Sequence, residues 1–130
     1  MNTATFLILR LAIAASVLGH GLVRLPQLSA FSKWMVENFQ KSMLPKMLVV
    51  PFSYLLPLAE FTIGLFLFIG LFTIPALIIG AIIMIVLIFG TTMIMNWEAL
   101  PSQLIHVAFY AVLLQFSQYN DWALDNLFKK

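Results

Sequence analysis

Four stretches of this chain, roughly 4–24, 51–72, 74–95 and 102–119, carry almost no charge, and this dictates the solvent the chain can fold in. At about 1.5 Å of rise per residue, the first three can each cross a hydrocarbon core about 30 Å thick, while the fourth is at the short limit. Hydrophobic residues make up 62% of the sequence and charged residues only 9%, with a mean hydropathy of +1.02. Soluble domains carry about 25% charged residues, so helices of this composition lack the polar faces needed to surround a water-facing core. The expected architecture is all-α: an integral membrane four-helix bundle forming a single domain over residues 1–130.

Ala12, Ala14 and Ala15 give the first run some likeness to the cleavage region of a secretory leader. A leader needs a basic segment ahead of its apolar stretch. Here Arg10 interrupts the run after Phe6-Leu7-Ile8-Leu9, so a retained first helix is expected. Cysteine is absent, which excludes disulfide exchange, thiolate nucleophiles and cysteine metal sites. Any redox role must therefore use a bound carrier or a partner protein.

The first helix is expected to end before Pro26, because the residue preceding a proline is pushed out of helical geometry. Segment 26–50 is the only polar stretch of real length, and its 31–43 portion mixes Phe31, Trp34, Met35 and Phe39 with Lys33, Glu37, Asn38 and Lys41. Aromatics dipping inward beside lysines reaching water predict a short interfacial helix between helices 1 and 2; a folded external loop without lipid contact is the alternative. The lysines are too few, and too mixed with Glu37, for a nucleic-acid surface. Pro51, Pro75 and Pro101 stand at the expected first turns of helices 2, 3 and 4, where a missing amide costs nothing. Pro57 falls inside helix 2, three residues before Glu60, where a bend could open a polar pocket or serve packing alone. Glycines 64, 70, 80 and 90 permit close helix approach, although Gly80 and Gly90 lack GxxxG spacing. Four spans put both termini on one face. The long loop carries Arg24, Lys33, Lys41 and Lys46, so the positive-inside rule slightly favours it in the cytoplasm.

Glu60 is the residue most in need of explanation, because a carboxylate inside a bilayer persists only with a partner, a proton or a polar cavity. Counting 1.5 Å per residue from the long-loop face puts His20 and His106 each about 6 Å deep and Glu60 about 13 Å deep. Asn96, Trp97 and Glu98 form the mouth between helices 3 and 4. Arg10 enters from the opposite face to about 9 Å, within about 8 Å of Glu60 along the normal. An Arg10–Glu60 pair is therefore expected, either as architecture or beside a carboxylate that relays a proton. His20 and His106 titrate near neutrality when unperturbed, and can pass a proton, bind a carbonyl, or be satisfied at the interface by water or Glu98. As metal ligands, His20, His106, Glu60 and Glu98 lack local spacing such as HExxH, so no metal site is expected. Met84, Met93 and Met95 read as flexible apolar filling. In the tail, Trp122 and Phe128 are expected to anchor at the interface, with Lys129 and Lys130 among headgroups or in water, and Asp125 to cap or pair locally.

The combination resembles the small four-helix DoxX-type membrane proteins, related to the membrane subunit of thiosulfate:quinone oxidoreductase. The likeness begins in LILRLAIAASVLGHGLVRL, with Arg10, His20, Gly21 and Arg24. It continues in PLAEFTIGLFLFIGLFTIPAL, with Glu60, Gly64 and Gly70, and closes with NWE at 96–98 and YNDWALDN at 119–126. The glycine-rich tail common in that family is replaced here by Gln118-Tyr119-Asn120-Asp121. The resemblance implies a small component of a redox or respiratory system in the bacterial cytoplasmic membrane, touching quinone. Glu60 and His20 would then be the proton-handling residues, with Arg10, His106, Asn96 and Glu98 around the bound carrier. Membrane lipids, a redox-enzyme subunit and a second copy of the chain are the implied partners. The rival is a noncatalytic scaffold or accessory subunit held together by a structural Arg–Glu pair. A small transporter is the third reading, and the lack of repeated halves counts against it.

Overall fold

The computed structural model describes residues 1–127; Phe128, Lys129 and Lys130, the expected tail anchors, lie outside the described residues. Helix α1 covers Thr3–Arg24 and α2 covers Leu28–Phe39, joined by a single 3-10 turn over Leu25–Gln27 at Pro26. Helices α3 (Lys46–Ile69), α4 (Thr73–Met93) and α5 (Leu100–Gln115) follow, and two short 3-10 turns lie in the tail. The fold is all-α. The stretch Thr3–Phe39, α3 and α4 are each long and apolar enough to cross a membrane, and α5 is a shorter apolar helix. The chain is a multi-pass integral membrane protein.

Helix association inside lipid gains little from hydrophobic burial, because lipid tails are as apolar as leucine; close backbone contact has to do the work. Helices α1 and α3 meet through two glycines. A Cβ on Gly21 would lie 2.6 Å from the Phe61 amide nitrogen, and one on Gly64 would lie 2.5 Å from the Leu18 amide nitrogen. These reciprocal contacts fix an antiparallel register that α2 continues. The Ser32 hydroxyl donates to that of Ser53 at 2.7 Å, because Ser53 gives its own proton to the Val50 carbonyl, and Met35 packs in one cluster with Val49 and Leu56. Thus α1 lies along the C-terminal part of α3, and α2 along its first turns. Helix α3 begins at Lys46, so Pro51, expected in a first turn, sits inside the helix, which runs unbroken through Pro51 and Pro57.

Helices α4 and α5 form the other layer, joined by Gly80 against the Tyr110 ring and by the Gln103 amide donating to Thr91 at 2.8 Å. Phe6, Ile13, Val17, Ile63, Leu77 and Leu113 fill the core between the layers. Ile74, Ile78, Ile82 and Ile85 form an exposed stripe on α4, the face such a helix turns to lipid.

The tail folds back under the bundle. The Asp125 carboxylate accepts from the Phe72 amide at 2.5 Å and the Thr73 amide at 2.9 Å, capping the start of α4. The Asp125 amide donates to the Gly70 carbonyl at 3.0 Å. Gly70 closes α3 with φ of 75°, a left-handed conformation that favours glycine. Asp125, expected to cap or pair locally, caps instead across 52 residues of sequence from Thr73.

Candidate functional site

Where α2 leaves the line of α1 it stays on α3, and it meets α4 with Phe39 against Gly90. A cavity of about 490 Å³ remains between α2–α3 and α4–α5. One wall is apolar, with Phe31, Met35, Phe39, Phe52 and Leu56 from α2 and α3 facing Leu87 of α4. The other wall carries the polar groups. Glu60, His20 and Arg24 enter from α3 and α1, and Gln103, His106 and Tyr110 from α5. The last three occupy positions i, i+3 and i+7 of one helix, which puts them on a single face.

Glu60 is paired, but with Arg24. The Arg24 guanidinium donates to Glu60 Oε1 at 2.7 Å and lies 4.5 Å from the centre of the Phe31 ring. This corrects the expected Arg10–Glu60 pair, and the register explains it. Gly21 against Phe61 sets Arg24, one turn further along α1, beside Glu60, one residue earlier on α3. Arg10 lies 14 residues back along α1, about 21 Å away along the axis. There it is buried and donates to Asn120 Oδ1 at 2.7 Å and to the Trp122 carbonyl at 3.0 Å. Arg10 therefore holds the tail rather than lining the cavity.

Both histidines are anchored by their own helices. His20 Nδ1 sits 2.6 Å from the Ser16 carbonyl, and His106 Nδ1 sits 2.7 Å from the Ser102 carbonyl. A ring nitrogen so close to a carbonyl oxygen carries a proton, so in the neutral rings Nε2 is the acceptor. His106 Nε2 accepts from the Ser16 hydroxyl at 2.8 Å. The rings stand edge to face, 6.2 Å between centres. Satisfaction of His106 thus comes from Ser16 and Ser102, in place of the water or Glu98 expected at the interface. Asn96 lines the mouth of the cavity, whereas Glu98 is exposed and outside the lining.

Gln103 Oε1 is buried without a donor among the described residues. Tyr110, 1% exposed, stands on the same wall with its ring against Gly80, and its hydroxyl makes no hydrogen bond among the described residues. From the sequence, Arg24 counts only among the long-loop charges and the family motif, and Gln103 and Tyr110 are passed over, although their common face with His106 on α5 was the available signal. Among the described residues, no three His, Asp or Glu side chains converge as a metal site.

A family model, DoxX, matches residues 5–97, which takes in α1 to α4, the ion pair and both glycine contacts. The chain belongs to the DoxX family. No curated protein and no solved structure matches it. The DoxX segment supplies His20, Arg24 and Glu60, while Gln103, His106, Tyr110 and the tail that binds Arg10 lie beyond the matched residues.

Proposed function

We propose that the cavity binds an amphipathic quinone-type carrier, with its ring at the Glu60–Arg24 end and its tail along the phenylalanine-rich wall. The observation that carries this reading is the Arg24–Glu60 ion pair in the lining of a largely apolar cavity. Its volume of about 490 Å³ lies within the range of about 300–1,000 Å³ usual for ligand sites. The side chains fit the chemistry. Tyr110 and Arg24 can donate to ring oxygens, while Glu60 and His20 can accept from them or hold a proton. A quinone supplies two-electron, two-proton chemistry when bound.

In this reading α5 is the fourth span of a four-helix bundle. Helix α2 lies at the headgroup level, its exposed Lys33 and Glu37 outward and its buried face over the cavity. DoxX membership, with the sequence resemblance to the membrane subunit of thiosulfate:quinone oxidoreductase, supports a redox or respiratory setting in the bacterial cytoplasmic membrane. A redox-enzyme subunit, or a second copy of the chain, would complete it.

The test is extraction in native lipid followed by analysis for bound quinone, then titration of a short-chain ubiquinone analogue. Copurifying quinone is expected, with binding weakened about tenfold or more in Glu60→Gln and Tyr110→Phe. Tyr110→Phe should leave stability nearly unchanged, because its hydroxyl has no protein partner to lose. Unchanged binding in both variants would overturn the reading. The scaffold alternative draws on the position of the Arg24–Glu60 pair one turn from the Gly21 contact. It predicts that both substitutions at the pair destabilise the bundle with no ligand to lose.

A further inference from the structure

Exposed side chains in the lining of a cavity mark where it opens, and here they fall into two groups. On α3 and α4 they are Leu48, Val86 and Phe89, with half-buried Phe52 one turn along α3 from Leu48. On α1, α2, α5 and the turn before α5 they are His20, Trp34, Asn96 and Ser102. No side chain of the first group has a polar atom, whereas every side chain of the second has one. The first group lies at one end of the bundle, because α3 and α4 run antiparallel from the short turn at 70–72. Leu48 is in the first turn of α3, and Val86 and Phe89 are in the last two turns of α4. Phe89 also continues the exposed isoleucine stripe of α4, following Ile85 by four residues and Ile82 by seven. The cavity therefore opens sideways onto the face that α4 turns to lipid.

The volume requires such an opening. About 490 Å³ suits a drug-sized molecule, so it takes a ring and the start of a tail, and a long polyprenyl chain has to leave. We propose that the bound carrier threads its tail into the bilayer through the α3–α4 mouth, between Leu48 and Phe52 on one side and Val86 and Phe89 on the other. Each methylene moved from an apolar setting into water costs about fourfold in binding. A tail leaving past His20, Asn96 and Ser102 runs among polar side chains toward water and incurs that cost; one leaving between α3 and α4 stays in hydrocarbon. The inference rests on the quinone reading above. It adds the substrate class, a long-tailed carrier drawn from the membrane, and the side chains that select it.

The experiment is photolabelling of the full chain in lipid nanodiscs. The probe is a benzoquinone whose decyl tail ends in a diazirine, irradiated with and without excess decyl benzoquinone, and the label is mapped by mass spectrometry. Competed label is expected on Leu48, Phe52, Val86 or Phe89. Competed label only elsewhere overturns the inference while leaving a quinone site in place. Absence of competed label on every residue overturns the quinone reading itself, and this inference with it. A second measurement uses Val86→Trp, which narrows the mouth from an exposed position that puts folding at little risk. It should weaken binding of decyl benzoquinone about fivefold or more, and change that of methyl benzoquinone by less than about twofold. Ile78→Trp, on the lipid-facing stripe of the same helix, should change neither. Equal weakening of both probes by Val86→Trp, or of neither, overturns the inference.

Discussion

The identity of the Glu60 partner can be measured by a double-mutant cycle. The perturbations are Arg24→Met, Glu60→Gln, and both together, with a parallel cycle pairing Arg10→Met with Glu60→Gln. Removing one member of a fully buried pair costs about 3–5 kcal/mol, because the other charge is left desolvated. Here the Arg24 side chain is 29% exposed and that of Glu60 11%, so part of that cost is relieved by solvent or headgroups. A coupling of about 1–3 kcal/mol is therefore expected for Arg24 with Glu60. Arg10 shares no partner with Glu60 and is about 21 Å further along α1, so its cycle should be additive within about 0.5 kcal/mol. Equilibrium unfolding in mixed micelles, followed by helical circular dichroism, reads both cycles. A coupling for Arg10 as large as that for Arg24 would refute the register, and with it the account of the cavity.

Two further outcomes test the fold. Gly64→Val should destabilise by about 3 kcal/mol or more in the same assay, because a Cβ there meets the Leu18 backbone at 2.5 Å and backbone cannot step aside. Gly19, on the same helix as Gly21 but with nothing within 4 Å, is the control: Gly19→Ala should be neutral or gain up to about 1 kcal/mol of helix stability. Asp125→Ala removes the acceptor for the Phe72 and Thr73 amides and should cost about 1 kcal/mol. Asp125→Asn, which keeps one side-chain oxygen, should recover part of the loss.

The apolar runs made the helices legible, since a chain with so little charge has few other ways to satisfy its backbone in lipid. Glu60, His20, His106 and Asn96 were legible as one group because depth along each run is a simple count. Partnership was not. Reading Pro26 as the end of the embedded stretch puts Arg24 at the surface. In the structure only a 3-10 turn intervenes, and α2 carries the path on along α3. That leaves Arg24 at the level of Glu60, and Arg10 at the level of Gly70. Which residues face each other depends on how Gly21 and Gly64 seat against the opposing backbones, a contact between two helices that no count along one can supply. Tyr110 and Gln103 went unnoticed because a tyrosine or glutamine in an apolar helix draws attention only once its bonding partners are found to be missing.

The bond from Asp125 to the start of α4 also carries a consequence for the order of assembly. The amides of Phe72 and Thr73 leave the ribosome some fifty residues before the carboxylate that caps them. Arg10 waits longer still for Asn120 and Trp122. Through most of synthesis, then, a guanidinium and an uncapped helix end stand open at one end of the bundle. They are closed only when the tail arrives.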